Sequence, residues 1–357
     1  MMNHRAAEFR ALFRALQPGL QEVFQTSQEV LVLTASGTGG LESALVNTLS
    51  PGDRVLAVTI GAFGERWAQI AEAFGLQVER LAFEWGQAAD PAALRERLAQ
   101  DSRREIQAVL VTHNETSTGV TNEVQALAEV VREHGALLEV DAISGLIAAP
   151  LETDAWGLDV VVAGSQKAFM IPPGLSFVSV GERAWEAHRN ARLPRFYWDW
   201  TQARQYAQRG ETPATPAVSL IYALQEALEM IREEGLEAIQ ARHARLGRAV
   251  RAALRAMGLE LLVQEERWAS PAVTAAFAPA GVAVAELRRV LEERYGVVIA
   301  GGQGALKERL FRVGHLGYVD AGMVLYGLAM IEMALRDLGM DLEIGAAVAA
   351  AREAGEA

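Results

Sequence analysis

Short apolar runs alternate with helical repeats through the first two-thirds of the chain. The runs stand at Val30–Leu33, Arg54–Val58, Val78–Ala82, Ala108–Val111, Leu137–Val140, Val160–Ala163 and Leu175–Val180. They are β-branched and nearly free of internal polar residues, as strands covered on both faces are. Between them, helical spacing recurs over Leu41–Leu49, Glu65–Phe74, Ala92–Ala99 and Val124–His134. Strand–helix alternation with right-handed crossovers predicts an α/β fold, a mostly parallel central sheet sandwiched by helices. Ligands of such sheets collect beyond the carboxyl ends of the strands.

The pattern changes after Gly210, Pro213 and Pro216, which break the chain. A long helical tract runs from Val218 to about Met257 and can be interrupted at Gly235. Beyond it the pattern predicts a strand near Ala272–Phe277, a helix at Val284–Glu293, strands near Val297–Ile299 and Leu310–Val313, then helices. With 357 residues, the chain reads as two units: a large α/β domain over residues 1–234 and a smaller α+β domain over 235–357. Ala346–Ala357 is rich in Ala and Glu and reads as a helix that frays.

Composition narrows the chemistry. There is no cysteine, which excludes a disulfide framework, a Cys-ligated metal and a thiol nucleophile. The net charge of −12 argues against a nucleic-acid partner, which needs a basic face. The start lacks the apolar core of a signal peptide, and no run of about 18 apolar residues would span a membrane. The expectation is a soluble cytoplasmic protein.

Several polar residues sit where apolar strands end. Lys167, in Gly164-Ser165-Gln166-Lys167, follows one strand; burial there would depress its pKa and free the amine for a Schiff base. As a lone residue it reads more readily as a surface lysine on a loop. Asp141 ends the preceding strand and needs a cation if buried, or else serves as a cap. The interval between the two spans one crossover, so both can flank a single ligand. Ser36-Gly37-Thr38-Gly39-Gly40 joins a strand to a helix start and offers hydroxyls and free amides to an anion. The loop Thr112-His113-Asn114-Glu115-Thr116-Ser117-Thr118-Gly119 is dense in hydrogen-bonding groups. Arg312 interrupts an apolar strand, either facing outward or offering its fork to a carboxylate; His315 follows it. An amine, an acid and an anion cradle together suit pyridoxal phosphate.

The ordered set resembles the class V (subgroup IV) aminotransferases of the fold-type I pyridoxal-phosphate enzymes. The relatives include alanine–glyoxylate, serine–glyoxylate, serine–pyruvate and subgroup IV aspartate aminotransferases, and a branch labelled soluble hydrogenase small subunit. The resemblance rests on Ser36-Gly37-Thr38-Gly39, Leu49-Ser50-Pro51-Gly52-Asp53, Glu115-Thr116-Ser117-Thr118-Gly119, Val140-Asp141-Ala142, Gly164-Ser165-Gln166-Lys167, Pro172-Pro173-Gly174, Ala300-Gly301-Gly302-Gln303 and Phe311-Arg312-Val313-Gly314.

This resemblance implies that Lys167 holds the cofactor as an internal aldimine and acts as general base. It implies that Asp141 supports the pyridine nitrogen. Ser36, Gly37, Thr38 and Gln166 would take the phosphate, Thr116 the ring hydroxyl, and Phe63 and Ile143 the ring faces. Thr215 would complete the phosphate cup from the other subunit of a homodimer, and Arg312 would bind the substrate carboxylate. The implied reaction is ping-pong transamination between a small amino acid (alanine, serine or aspartate) and a 2-oxo acid (glyoxylate, pyruvate or 2-oxoglutarate). Two departures stand out. The family carries a Gly/Pro loop ahead of the His4-Arg5 position, so this sequence is expected to start late or to have an open substrate pocket. Thr212 stands where some relatives have Tyr. The alternatives are a lyase on the same cofactor, or a non-catalytic partner subunit. The absence of cysteine weighs against a thiol-dependent desulfurase.

Overall fold

A computed structural model describes residues 3–356. Its strands are β1 (Val30–Leu33), β2 (Arg54–Thr59), β3 (Gln77–Ala82), β4 (Ile106–Thr112), β5 (Asn114–Glu115), β6 (Val120–Thr121), β7 (Leu137–Asp141), β8 (Val160–Gly164), β9 (Ser176–Val180), β10 (Val273–Phe277), β11 (Ala300–Gly301) and β12 (Leu310–Gly314). Seven of them form one sheet in the order β1-β9-β8-β7-β4-β2-β3. β8, β7, β4, β2 and β3 pair in parallel, while β9 runs against both β8 and β1. The α/β architecture expected from the alternation is therefore the observed one.

The sheet is buried on both faces because successive side chains point opposite ways. Along β4, Val109 and Val111 join one hydrophobic cluster, while Ala108 and Leu110 join the other. The first cluster packs under the helix Ala7–Phe24, which buries Phe9, Phe13, Leu16 and Leu20. Pattern reading gave no helix there; it contains Pro18, an ordinary helix breaker. The second cluster packs under Gly37–Thr48 and Trp200–Gln208 through Leu41, Leu45 and Trp200.

Three expectations need correction. The run Val78–Ala82 is not fully buried: β3 is an edge strand whose side chains are exposed or half-buried. Its Arg80 pairs with Glu65 at 2.8 Å and Glu72 at 2.7 Å, and such charges blunt an open edge. Val297–Ile299 is not a strand. Gly296 closes the helix Val284–Tyr295 in the left-handed conformation, and Val297 N–H returns to the Leu291 carbonyl at 3.0 Å. The strand begins only at Ala300. The C-terminal helix does not fray: Ala346–Glu356 packs on Leu236–Ala256 with Ala347 and Ala351 buried. Buried Glu332 accepts hydrogen bonds from Gly345 N and Ala347 N at its start, at 2.8 and 3.1 Å.

β10, β12 and β11 form a second, three-stranded antiparallel sheet. Its cluster includes Leu246, Leu254, Phe311 and Leu328. Among the described residues no helix is long and apolar enough to cross a membrane.

Candidate active site

The carboxyl ends of β1, β4, β7 and β8 bring Ser36, Asn114, Asp141 and Lys167 to one edge of the large sheet. There they line a cavity of about 110 Å³ with Gly37, Thr38, Phe63, Arg66, Thr116, Ile143, Ser144 and Gln166. A second cavity, of about 500 Å³, shares Asn114, Thr116, Ser144 and Lys167 and is closed on its other side by residues of the small sheet, Arg312 among them. Lys167 therefore stands between the two.

β7 and β8 are parallel neighbours, so the crossover from Asp141 to Lys167 returns them to one place, as their spacing allowed. Asp141 is buried, and its Oδ1 accepts one bond, from Ile143 N at 2.9 Å. Burial pushes its carboxyl up to about 7; the Ile143 amide opposes this, Glu115 adds to it, and Lys167 and Arg66 oppose it. A carboxylate with so few partners fits a cationic neighbour. Burial also depresses the Lys167 ammonium; Asp141 works against this and Arg312 works with it. No hydrogen bond to the Lys167 amine is found among the described residues, so a half-buried amine faces the ligand space.

Ser36 caps the helix Gly37–Thr48 without using its side chain on the helix. Its hydroxyl and the Gly37 and Thr38 amides, which have no acceptor among the described residues, are left for an anion, while the Gly39 and Gly40 amides bond the Ser36 carbonyl at 3.0 and 3.3 Å. A Cβ at Gly37 would lie 2.4 Å from Ile143 Cδ1 and 2.8 Å from its Cγ1, so the Ile143 side chain would have to move. The helix starts at Gly37 rather than Leu41, so the Gly-rich segment is its first turn.

The polar loop after β4 is a scaffold. Thr116 Oγ1 and Asn114 Nδ2 both donate to Ser144 Oγ, at 2.7 and 2.9 Å, and Ser144 Oγ donates to the Asn114 carbonyl at 2.8 Å. Buried Glu115 accepts from Phe63 N, Gly64 N and Ser117 Oγ at 3.0, 3.1 and 2.6 Å. It thereby fixes the start of the helix Ala62–Ala73 that carries Phe63. Burial pushes the Glu115 carboxyl up, and these donors hold it down. Arg66 stacks on the Phe63 ring at 4.7 Å.

Arg312 does not face outward. It is 7 % exposed, with Nε donating to the Gly301 carbonyl at 2.9 Å and Nη1 to the Thr116 carbonyl at 2.8 Å. Two other residues stand outside these cavities. Thr215 is exposed and lines neither. His315 is buried within the small unit, bonded to Thr274 Oγ1 at 2.9 Å and the Pro271 carbonyl at 2.8 Å, and burial pushes it down to about 3. Pattern reading assigned no role to Asn114, Glu115, Ser144 or Arg66. The first two lie in a loop singled out for its polarity. Ser144 carries no sequence signal, because its contacts with Asn114 and Thr116 are long-range, and Arg66 reads as any arginine of an amphipathic helix.

A family model described as Aminotransferase class-V matches residues 1–328. The chain is 46% identical over 352 residues to the soluble hydrogenase 42 kDa subunit of Anabaena cylindrica, covering 98% of this chain and 91% of that one. It is 40% identical to the serine–glyoxylate aminotransferase of Methylorubrum extorquens, covering 98% and 89% of the two chains. Among solved structures it is similar to pyridoxamine-pyruvate aminotransferase from Mesorhizobium loti. That match has a TM-score of 0.95 at 31% identity and covers 99% of this chain and 91% of that one.

Proposed function

The chain belongs to the class-V aminotransferases, pyridoxal-phosphate-dependent enzymes that transfer an amino group to a 2-oxo acid, and we propose which of its residues do so and on what. The substrates are a small amino acid such as alanine, serine or aspartate, and a 2-oxo acid such as glyoxylate, pyruvate or 2-oxoglutarate. One observation carries the residue assignment: a half-buried amine, an under-partnered buried carboxyl and a helix start line one cavity.

These residues fit the cofactor. Asp141 balances the charge of the ring nitrogen. Ser36, Gly37, Thr38 and Gln166 hold the phosphate, Thr116 the ring hydroxyl, and Phe63 and Ile143 flank the ring. When bound, pyridoxal phosphate supplies the carbonyl that takes up the amine and the electron sink for the reacting carbon. Lys167 anchors the cofactor covalently. Once freed, its Nζ, whose charged form burial disfavours, would take the α-proton and return it as general base and acid. Arg312 orients the substrate by its α-carboxylate, and its bond to the Thr116 carbonyl ties that grip to the loop beside the ring.

We also propose that two copies form the working unit in the cytoplasm. Thr215 is exposed in the protomer, and the cavity beside its segment is lined by the exposed aromatics Phe196 and Tyr197. A second copy that covers this region brings Thr215 to the phosphate.

Absorbance-monitored half-reactions test the reading. Alanine, serine or aspartate should convert the coloured form to the aminated one, and glyoxylate or pyruvate should restore it. Lys167→Ala should abolish the covalent chromophore. Protein that stays colourless after incubation with the cofactor, or that holds colour inertly with every donor, would overturn the proposal and favour a non-catalytic subunit.

A further inference from the structure

The larger cavity carries more positive charge than one substrate carboxylate requires. Lys167, Arg288 and Arg312 line it, and no aspartate or glutamate does. The two guanidinium groups flank a single residue. Arg312 Nε donates to the Gly301 carbonyl at 2.9 Å, and a Cβ at Gly301 would lie 3.5 Å from Arg288 Nη1. Arg288 is anchored by its Nε, which donates to the Ile299 carbonyl at 3.1 Å. No hydrogen bond of its two Nη groups is found among the described residues, and the residue lines the cavity.

The neighbouring Arg289 shows what an ordinary arginine of this helix does. It pairs with Glu286 at 3.8 Å and Glu293 at 2.8 Å. No ion pair of Arg288 is found among the described residues. Two cations held close, with one lacking a counter-ion, raise each other's electrostatic energy. Burial first, and Arg288 in addition, depress the Arg312 guanidinium, while Glu115 opposes them. An anion that reaches both would relieve that repulsion. The rest of the wall offers no other charge: Ala272, Val273, Val298, Ile299 and Leu316 are apolar, and Asn114, Thr116 and Ser144 are neutral. A volume of about 500 Å³ is within the range of small-molecule sites and has room for a second carboxylate.

We infer that Arg288 is a specificity-determining residue that binds the distal carboxylate of a dicarboxylic amino or 2-oxo acid, while Arg312 holds the α-carboxylate. The inference rests on the transamination reading for the role of Arg312, and it selects the aspartate and 2-oxoglutarate class among the substrates considered above.

The test uses the holoenzyme and its Arg288→Gln and Arg288→Lys variants. Calorimetric titration with maleate and with propionate compares an unreactive dicarboxylate with an unreactive monocarboxylate. Half-reaction kinetics compare aspartate with alanine. The parent should prefer maleate. Arg288→Gln should lower both the maleate-to-propionate affinity ratio and the aspartate-to-alanine kcat/KM ratio roughly ten- to a hundredfold, the worth of a charge-assisted hydrogen bond. Arg288→Lys should fall between, since it keeps the charge and loses the fork. Ratios unchanged by Arg288→Gln would overturn the inference and leave transamination standing. If no donor reacts, the transamination reading fails. The titration still decides the carboxylate site: a maleate preference that Arg288→Gln abolishes supports it, and one that persists overturns it.

Discussion

At the scale of single residues, Asp141 is costly to the protein without its partner. Its carboxyl ionises near 3.8 in the unfolded chain and is pushed up to about 7 in the fold, burial being the main cause. The folded state therefore holds its proton where the unfolded state has lost it. This contribution to stability is full below about pH 3.8 and is lost as pH rises through about 7. The displacement corresponds to roughly 4 kcal/mol. Glu139, on the same strand, is also pushed up to about 7 by burial and adds a slope of the same sign. Buried His113 is pushed down to about 4 and acts oppositely, losing stability as pH falls from 6.5 to about 4. The difference between two proteins isolates the aspartate. Apoprotein Asp141→Asn should lose less stability than the parent between about pH 4 and 7 in chemical denaturation. Cofactor bound to the parent should shrink the same slope, because a cationic ring nitrogen stabilises the ionised form. An Asn variant with the parental pH profile would show that Asp141 is not held protonated by burial.

At the scale of elements, the site depends on how closely the helix Gly37–Thr48 lies on the sheet. A Cβ at Gly40 would stand 2.1 Å from Ser176 Oγ and 2.6 Å from Val162 Cγ1. Ser176 cannot simply swing away, because its hydroxyl donates to the Ala163 carbonyl at 3.0 Å. Gly40→Ala should therefore lift the helix, cost about 1–3 kcal/mol, and weaken cofactor retention by shifting Ser36 and Thr38. Gly327→Ala, in open space on another helix, should stabilise by about 1 kcal/mol. Thermal melts and cofactor titration of both variants check this; equal retention by Gly40→Ala and the parent would refute the coupling. The same helix shows what was legible in the sequence. The apolar runs gave the buried strands because β-branched residues on both faces leave a local signature. Lys167, Asp141 and the Gly-rich segment were legible because they stand where those runs end. Glu115 acts on Phe63 and Gly64, far from it in sequence, and Ser144 acts on Asn114 and Thr116, so neither leaves a local pattern. Arg288 and Arg289 look alike on an amphipathic helix, and only the tertiary fold separates the paired one from the unpaired one. Val297–Ile299 misled because an apolar run can close a helix as well as pair in a sheet.

At the scale of the whole molecule, we propose that Gly235 divides two units. The helix Val218–Glu234 packs on Ala7–Phe24, whereas Leu236–Ala256 packs on Ala346–Glu356. Arg242 spans the division, bonding Glu234 on one side and the Gly317 and Val319 carbonyls, at 3.1 and 2.9 Å, on the other. The small cavity is lined by the large unit, while Arg312 and Arg288 come from the small one, so the substrate grip proposed above would require both. The phosphate cup requires more than one protomer if Thr215 is to take part, since that residue is exposed and away from its own cavity. Phe196 is 85% exposed, an unusual position for a large aromatic ring, and it lies on the same side as the Thr212–Ala214 segment. A large exposed apolar group marks a surface that another molecule covers. Light scattering should give twice the chain mass for the parent. Phe196→Asp should shift the protein toward the monomer and reduce cofactor retention together, because the monomer would lack the Thr215 contact. Retention measured against protein concentration separates the two effects: in the variant it should recover as the dimer re-forms. A parent that is monomeric at every concentration yet binds the cofactor fully would place the whole phosphate site within one chain.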